Sequence, residues 1–161
     1  MGRTFFPEEK EGFGVLEYIP TFTEDDIFNK YVQLFGEDSV WKNYTNIRNS
    51  IREQQSRPKA ARLLIHRGGQ EPDAEHLNKS YDMFYQDGKT YMIPIEGMIA
   101  ALRYRVETTK MMDVKGLTRF HALDAYGYAM CMYRSSNGEF YVHSYYRDHC
   151  YSEYGPREVS F

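Results

Sequence analysis

Aliphatic side chains, cysteine and catalytic signatures are all scarce in this chain. Leu, Ile, Val and Phe together make up about a fifth of the 161 residues, close to the level at which apolar burial no longer guarantees collapse. The two cysteines, Cys131 and Cys150, are too few for a disulfide framework. No run approaches the roughly 20 apolar positions that a transmembrane helix needs. The opening stretch MGRTFFPEEKEGFG lacks both the apolar centre of a secretory signal and the Ser or Thr expected for myristoylation. Charge of one sign is not in excess either. The net charge is −3 and the pI about 6.0, which argues against a polybasic nucleic-acid coat or a membrane-surface protein. Together these absences point to a cytoplasmic protein with no membrane partner.

The chain has no Walker A loop, no GxGxxG, no HExxH, no CxxC and no GxSxG. DGKT at Asp87–Thr90 lacks the upstream glycine of a phosphate-binding loop. His143, His149 and Cys150 match no zinc spacing, so neither a metal nor a cofactor is expected. His66 and His76 read as surface residues, and His121 as a structural histidine within reach of a sheet edge.

What the chain does have is aromatic mass. It carries fifteen tyrosines, ten phenylalanines, one tryptophan and eight methionines. Tyr, Met and Phe can fill a core in place of aliphatics, provided each buried hydroxyl finds a partner. The length is that of one domain, able to bury roughly 68–70% of its unfolded surface. Charge is unevenly placed: residues 1–40 hold nine acidic and three basic residues, and 41–67 hold seven basic and one acidic. We read residues 1–20 as an acidic arm, 21–69 as a helical part and 81–150 as an antiparallel sheet part, with 70–80 a polar connector.

PTFTEDDIFNKYVQLFG predicts a helix. Thr23 is its N-cap, Asp26 stands three residues on, Ile27, Phe28, Tyr31, Val32 and Phe35 form an apolar stripe, and Gly36 is the stop. A second helix is expected from Asp38 to about Gln55. Val40, Tyr44, Ile47 and Ile51 would share one face, with Trp41, Thr45, Arg48 and Arg52 along its flank. KAARLLIHRGG fits a short helix or strand. Beyond Tyr81 the period falls to two. YDMFYQDGKTYMI reads as a hairpin turning at Asp87-Gly88, ALRYRVETTK as a strand, and residues 118–124 as a connector with a short helix. A second hairpin turns at Asn137-Gly138. The expected fold is α+β, with two N-terminal helices packed on a four- to five-stranded antiparallel sheet.

YVHSYYRDHCYSEYG, residues 141–155, concentrates five tyrosines, two histidines and a cysteine. A two-residue turn at Asn137-Gly138 would set Ser136 opposite Glu139. Cys131, Tyr133, Phe140 and Val142 would then face the core, while Tyr128, Met130, Met132, Arg134, Tyr141, His143, Tyr145 and Arg147 would face outward. The leading expectation is a non-enzymatic binding module that uses this outward face, or the Trp41/Arg48/Arg52 flank, to meet another protein. Interfaces enrich these residue types, and a homodimer would use the same surface. Size and composition also suit an inhibitory or accessory protein of a virus or mobile element. The first alternative is RNA or single-stranded nucleic acid, with Tyr128, Tyr141 and Tyr145 stacking bases while Arg134 and Arg147 meet phosphates. The second is a metal-independent ribonuclease with His143 as general acid or base, Arg147 as phosphate stabiliser and Tyr141 as positioning group.

Overall fold

The structure is a computed structural model that describes Pro7, residues 9–37, the backbone of Val40–Lys42 and residues 47–161. Most of the acidic arm up to Glu8, together with Tyr44 and Thr45 of the expected second helix, lies outside the described residues.

Helices and largely antiparallel sheets combine in an α+β architecture. The elements in chain order are β1 (Val15–Ile19), α1 (Glu24–Phe35), β2 (Val40–Lys42), α2 (Ile47–Ser50), β3 (Ile51–Gln54), β4 (Arg62–His66), α3 (Tyr81–Tyr85), α4 (Pro94–Thr108), β5 (Leu117–Asp124), β6 (Ala129–Arg134), β7 (Phe140–Tyr145), β8 (Tyr154–Pro156) and β9 (Val159–Ser160). They form two sheets: a small one ordered β1-β4-β9 and a six-stranded one ordered β2-β7-β6-β5-β3, with β8 also on β5. The large sheet is mixed, because β2 runs parallel to β7 and β8 parallel to β5.

α1 forms as its local sequence dictates. The Thr23 hydroxyl accepts from Asp26 N at 3.2 Å, and the Asp26 carboxylate accepts from Thr23 N at 2.8 Å. Ile27 and Tyr31 are buried. Gly36 ends the helix with φ +90°, its N–H donating to Val32 O at 2.8 Å; a side chain there would resist that backbone.

The described residues of the expected second helix do not form one: they divide into β2, the single turn α2 and β3. The Asp25 carboxylate captures the N–H groups of Ile47 and Arg48 at 3.1 and 3.3 Å, and the chain then passes to the opposite edge of the large sheet. Helical spacing of apolar residues over 40–51 was therefore compatible with two edge strands and a turn.

The expected strand at 101–109 belongs instead to α4, which starts at Pro94. Proline at the first helical position costs no hydrogen bond. The fully buried Glu96 accepts from Ile93 N at 3.0 Å and is clamped by Arg57 and Arg62 at 2.9 and 2.8 Å. Residues Pro94–Ala101 are all buried, because α4 touches α1, strand β1 of the small sheet and strands β5 and β6 of the large one. A helix enclosed on every side loses its one-sided apolar stripe, and the alternation of Leu102, Tyr104 and Val106 at its open end imitates a strand.

Residues 118–124, expected as a connector, lie in the central strand β5, buried along its whole length. Two-sided burial abolishes alternation, and hydrogen bonds with groups outside the strand hold its Thr118, Arg119 and Asp124. Asp124 accepts from Ser144 Oγ at 2.6 Å and from Tyr128 N at 2.9 Å. The hairpin expected at Asp87-Gly88 is also absent. Tyr81–Tyr85 is helix α3, capped by Ser80, whose hydroxyl accepts from Met83 N at 3.3 Å. Tyr91 meets Glu158 only as an isolated bridge.

The chain end ties the sheets together. β8 adds to the large sheet and β9 to the small one, with Arg157 between them. Its guanidinium is 1% exposed and donates to Gly68 O, Gln70 O, Asp113 Oδ1 and Thr118 Oγ1 at 2.7–3.1 Å. His66 and His76, expected at the surface, are each 1% exposed. His66 faces Glu17 at 3.4 Å and His76 faces Glu158 at 2.8 Å, so both serve as polar links in the interior.

Candidate functional site

The second hairpin forms where expected, with a different register. Ser135 N donates to Glu139 O and Gly138 N to Ser135 O, both at 3.0 Å. The loop is therefore three residues, Ser136–Gly138, with Gly138 at φ +92°, a common way for a hairpin to turn. Arg134 pairs with Phe140, Tyr133 with Tyr141, Cys131 with His143 and Ala129 with Tyr145. One extra loop residue reverses which face each β6 side chain takes.

The consequences divide by strand. On β7 the expected alternation holds: Phe140, Val142 and Ser144 are buried, and Tyr141, His143 and Tyr145 half-buried. On β6 it is inverted. Met130 and Met132 join the core under α1 and α4, while Cys131 and Tyr133 share the face of Tyr141, His143 and Tyr145. Cys131 is buried, as expected for a core thiol, but on the opposite face, and burial pushes its thiol up. Arg134 moves the other way: it shares a face with Phe140 rather than with the tyrosines, and its Nε has no partner among the described residues.

What results is an unbroken chain of rings. Tyr141 stacks on Tyr133 at 5.2 Å, Tyr133 meets Tyr145 at 6.5 Å, and Tyr145 meets Tyr154 at 6.0 Å. Tyr154 meets Tyr151 at 4.7 Å, Tyr151 meets His149 at 6.1 Å, and His149 meets Tyr146 at 4.8 Å. His143 stacks on Tyr145 at 5.4 Å, and the exposed Tyr128 meets Tyr146 edge-on at 5.2 Å. Burial, then the neighbouring Tyr145, pushes the Tyr133 phenol up.

Arg119 shapes this face from below. It occupies the β5 position opposite Cys131 and is fully buried. It donates to Tyr146 O at 3.2 Å and His149 O at 2.9 Å, which pins the segment after β7 back over the sheet. Burial holds its pKa below the usual arginine range. Tyr133, Tyr151 and Tyr154 therefore belong to the face although sequence reasoning left them out. The signal that could have found Tyr133 was the loop length, and nothing local foretold the return of 146–154.

The remaining candidates disperse. Trp41 lies in β2 beside Tyr141, Arg48 in α2, and Arg52 in β3, the opposite edge of the large sheet; they form no common flank. Arg147 lies beyond β7, ion-paired with Asp82 and stacked over the Tyr81 ring at 5.3 Å. The three nuclease candidates are not assembled. Tyr141 OH donates to Glu139 at 2.7 Å, His143 Nδ1 lies 2.6 Å from Ser144 O, and Arg147 is held on α3.

Among the described residues one group has metal-ligand spacing, Glu75, His76 and Glu158. Its chemistry is that of an ion-pair hub. Glu158 already receives Lys10, Lys89 and His76, and a metal would have to displace these partners.

No protein-family model, no curated protein and no solved structure matches this chain. The class that the fold defines is an α+β protein of two sheets around a buried helix.

Proposed function

We propose that this protein is a non-enzymatic binding module that docks on another protein through the tyrosine face of β6, β7 and the pinned 146–154 segment. The observation that carries the reading is the continuous chain of half-buried and exposed rings from Tyr141 to Tyr146. Tyrosine offers a large amphipathic area with few rotatable bonds, so ordering it on binding costs little entropy. The rings already hold one another, which lowers that cost further.

Charge favours a protein over a nucleic acid. Base stacking alone leaves phosphates unmet, and neutralising them needs free Lys or Arg beside the rings. Here Arg134 shares the opposite face, Arg147 is bound to Asp82, and Arg119 lies buried beneath. A nuclease reading has no assembled acid–base pair to support it.

The test is capture of partners on the purified chain with and without nuclease, repeated with Tyr133→Ala, Tyr141→Ala and Tyr145→Ala. We expect nuclease-resistant capture, and a loss of roughly thirtyfold in affinity, about 2 kcal/mol, at a central ring. Nuclease-sensitive capture, or three variants that fold and bind like the parent, would refute the proposal.

A further inference from the structure

A second concavity, separate from the tyrosine face, lies between β3 and α3. It has a volume of about 410 Å³ and is lined by Glu53, Gln54, Gln55, Ser56, Tyr85 and His121, within the size range of small-ligand sites. His121, from the centre of β5, is 4% exposed, and its Nδ1 has no partner among the described residues. A buried polar atom left unpaired is costly and calls for explanation. The imidazole is held edge-on to Tyr85 at 5.2 Å and to Phe84 at 5.8 Å, so its orientation is fixed by packing.

The lining has one sign of charge. Glu53 makes no ion pair among the described residues. The two nearby guanidinium groups are committed elsewhere, Arg57 to the buried Glu96 and Arg147 to Asp82. Gln55 is also committed: its Oε1 accepts from Arg57 Nη1 at 3.0 Å, and its Nε2 donates to Lys89 O at 3.4 Å. An anionic ligand would find no free cation among these groups. A ligand carrying positive charge and several N–H donors would find a carboxylate, a serine hydroxyl and the exposed ring of Tyr85, whose π face attracts cations.

We propose that this cleft binds the primary ammonium group of a small alkyl amine, with Glu53 as counter-ion, Tyr85 as the aromatic wall and His121 at the floor. Burial, and next the charge of Arg57, hold the His121 pKa below its ordinary value. The imidazole is then unprotonated near neutral pH and does not repel the cation. The proposal is independent of the tyrosine face, and either can fail alone.

Calorimetric titration of the full chain tests it, using 1,4-diaminobutane, n-butylammonium, Nα-acetyl-lysine methylamide and butyrate as probes. Saturable binding of the free amines is expected, with none for butyrate. Glu53→Gln should weaken the amines at least tenfold, and Tyr85→Leu several-fold. Glu53 is exposed, so Glu53→Gln should melt like the parent. Tyr85→Leu also removes ring contacts with His121 and Tyr81, so its melting curve is recorded beside its affinity and the decisive variant is Glu53→Gln. Saturation by the lysine amide as well would agree with the same ammonium chemistry. Binding of the lysine amide without the free amines would overturn the assignment to a small amine. So would an unchanged Glu53→Gln affinity, equal binding of butyrate, or no saturation by any amine at about 10 mM, beyond the weakest useful range of affinity.

Discussion

Gly97 is where α4 rides directly on β5, and replacing it with alanine tests that packing. A Cβ built at Gly97 would overlap Cε1 of Phe120 and sit 2.9 Å from its Cζ and 3.4 Å from its Cδ1. Phe120 is fully buried within the main core, among Met98, Met130 and Met132, so its ring cannot swing clear without displacing neighbours. Overpacking of this kind costs about 1–3 kcal/mol. Alanine's better helix propensity offsets about 1 kcal/mol of that. Two contacts under 3 Å with a fully buried ring place the overpacking cost in the upper part of its range, about 2–3 kcal/mol. The net expectation is therefore a loss of about 1–2 kcal/mol, hence a melting temperature lower by roughly 3–6 °C for a chain of this size. Thermal and urea unfolding of Gly97→Ala measure it. Gly14→Ala is the control, since nothing lies within 4 Å of a Cβ there; its change should stay within about 0.5 kcal/mol. Adding Phe120→Leu to Gly97→Ala should recover part of the loss, with a coupling of about 1 kcal/mol in a double-mutant cycle. A Gly97→Ala protein that melts at or above the parent temperature would refute the helix-on-strand contact.

Further outcomes follow from other parts of the fold. Gly138→Val should cost about 1–2 kcal/mol in urea unfolding, because a β-branched residue resists the φ of +92° in the three-residue loop. Timed alkylation with mass spectrometry should label the exposed Cys150 well before the buried Cys131; the reverse order would contradict the burial of Cys131 beneath the tyrosine face. Glu158 gives a pH dependence. Burial alone would raise its carboxyl, but hydrogen bonds from Lys10, His76 and Lys89 bring it from the ordinary 4.5 down to about 2. A depressed carboxylate stabilises the fold above its unfolded pKa and loses that contribution as pH falls towards the folded one. Glu158→Gln should therefore lower the melting temperature at pH 7, and the gap from the parent should close between pH about 4.5 and about 2. A gap that is constant with pH would rule out the carboxylate as its source.

The sequence by itself determined the features whose causes lie within a few residues. Thr23 and Asp26 cap α1 through groups three positions apart, Gly36 stops it, and Asn137-Gly138 places a turn between β6 and β7. The alternation of Phe140, Val142 and Ser144 against Tyr141, His143 and Tyr145 survived because one face of β7 packs on the core and the other stays partly open. The tertiary structure alone decided the rest. β5 is covered on both faces, so it carries no period, and its Arg119 and Asp124 find partners some twenty to thirty residues away at Ser144, Tyr146 and His149. The buried half of α4 touches two sheets, which removes its apolar stripe, and only its open end showed a pattern. One additional loop residue inverted β6 and moved Tyr133 onto the aromatic face. Whether 146–154 turned back across the sheet depended on a buried guanidinium in another strand. Local propensity acts within a few residues of chain, whereas burial and charge pairing depend on which segments meet in space, and that is where both candidate sites were made.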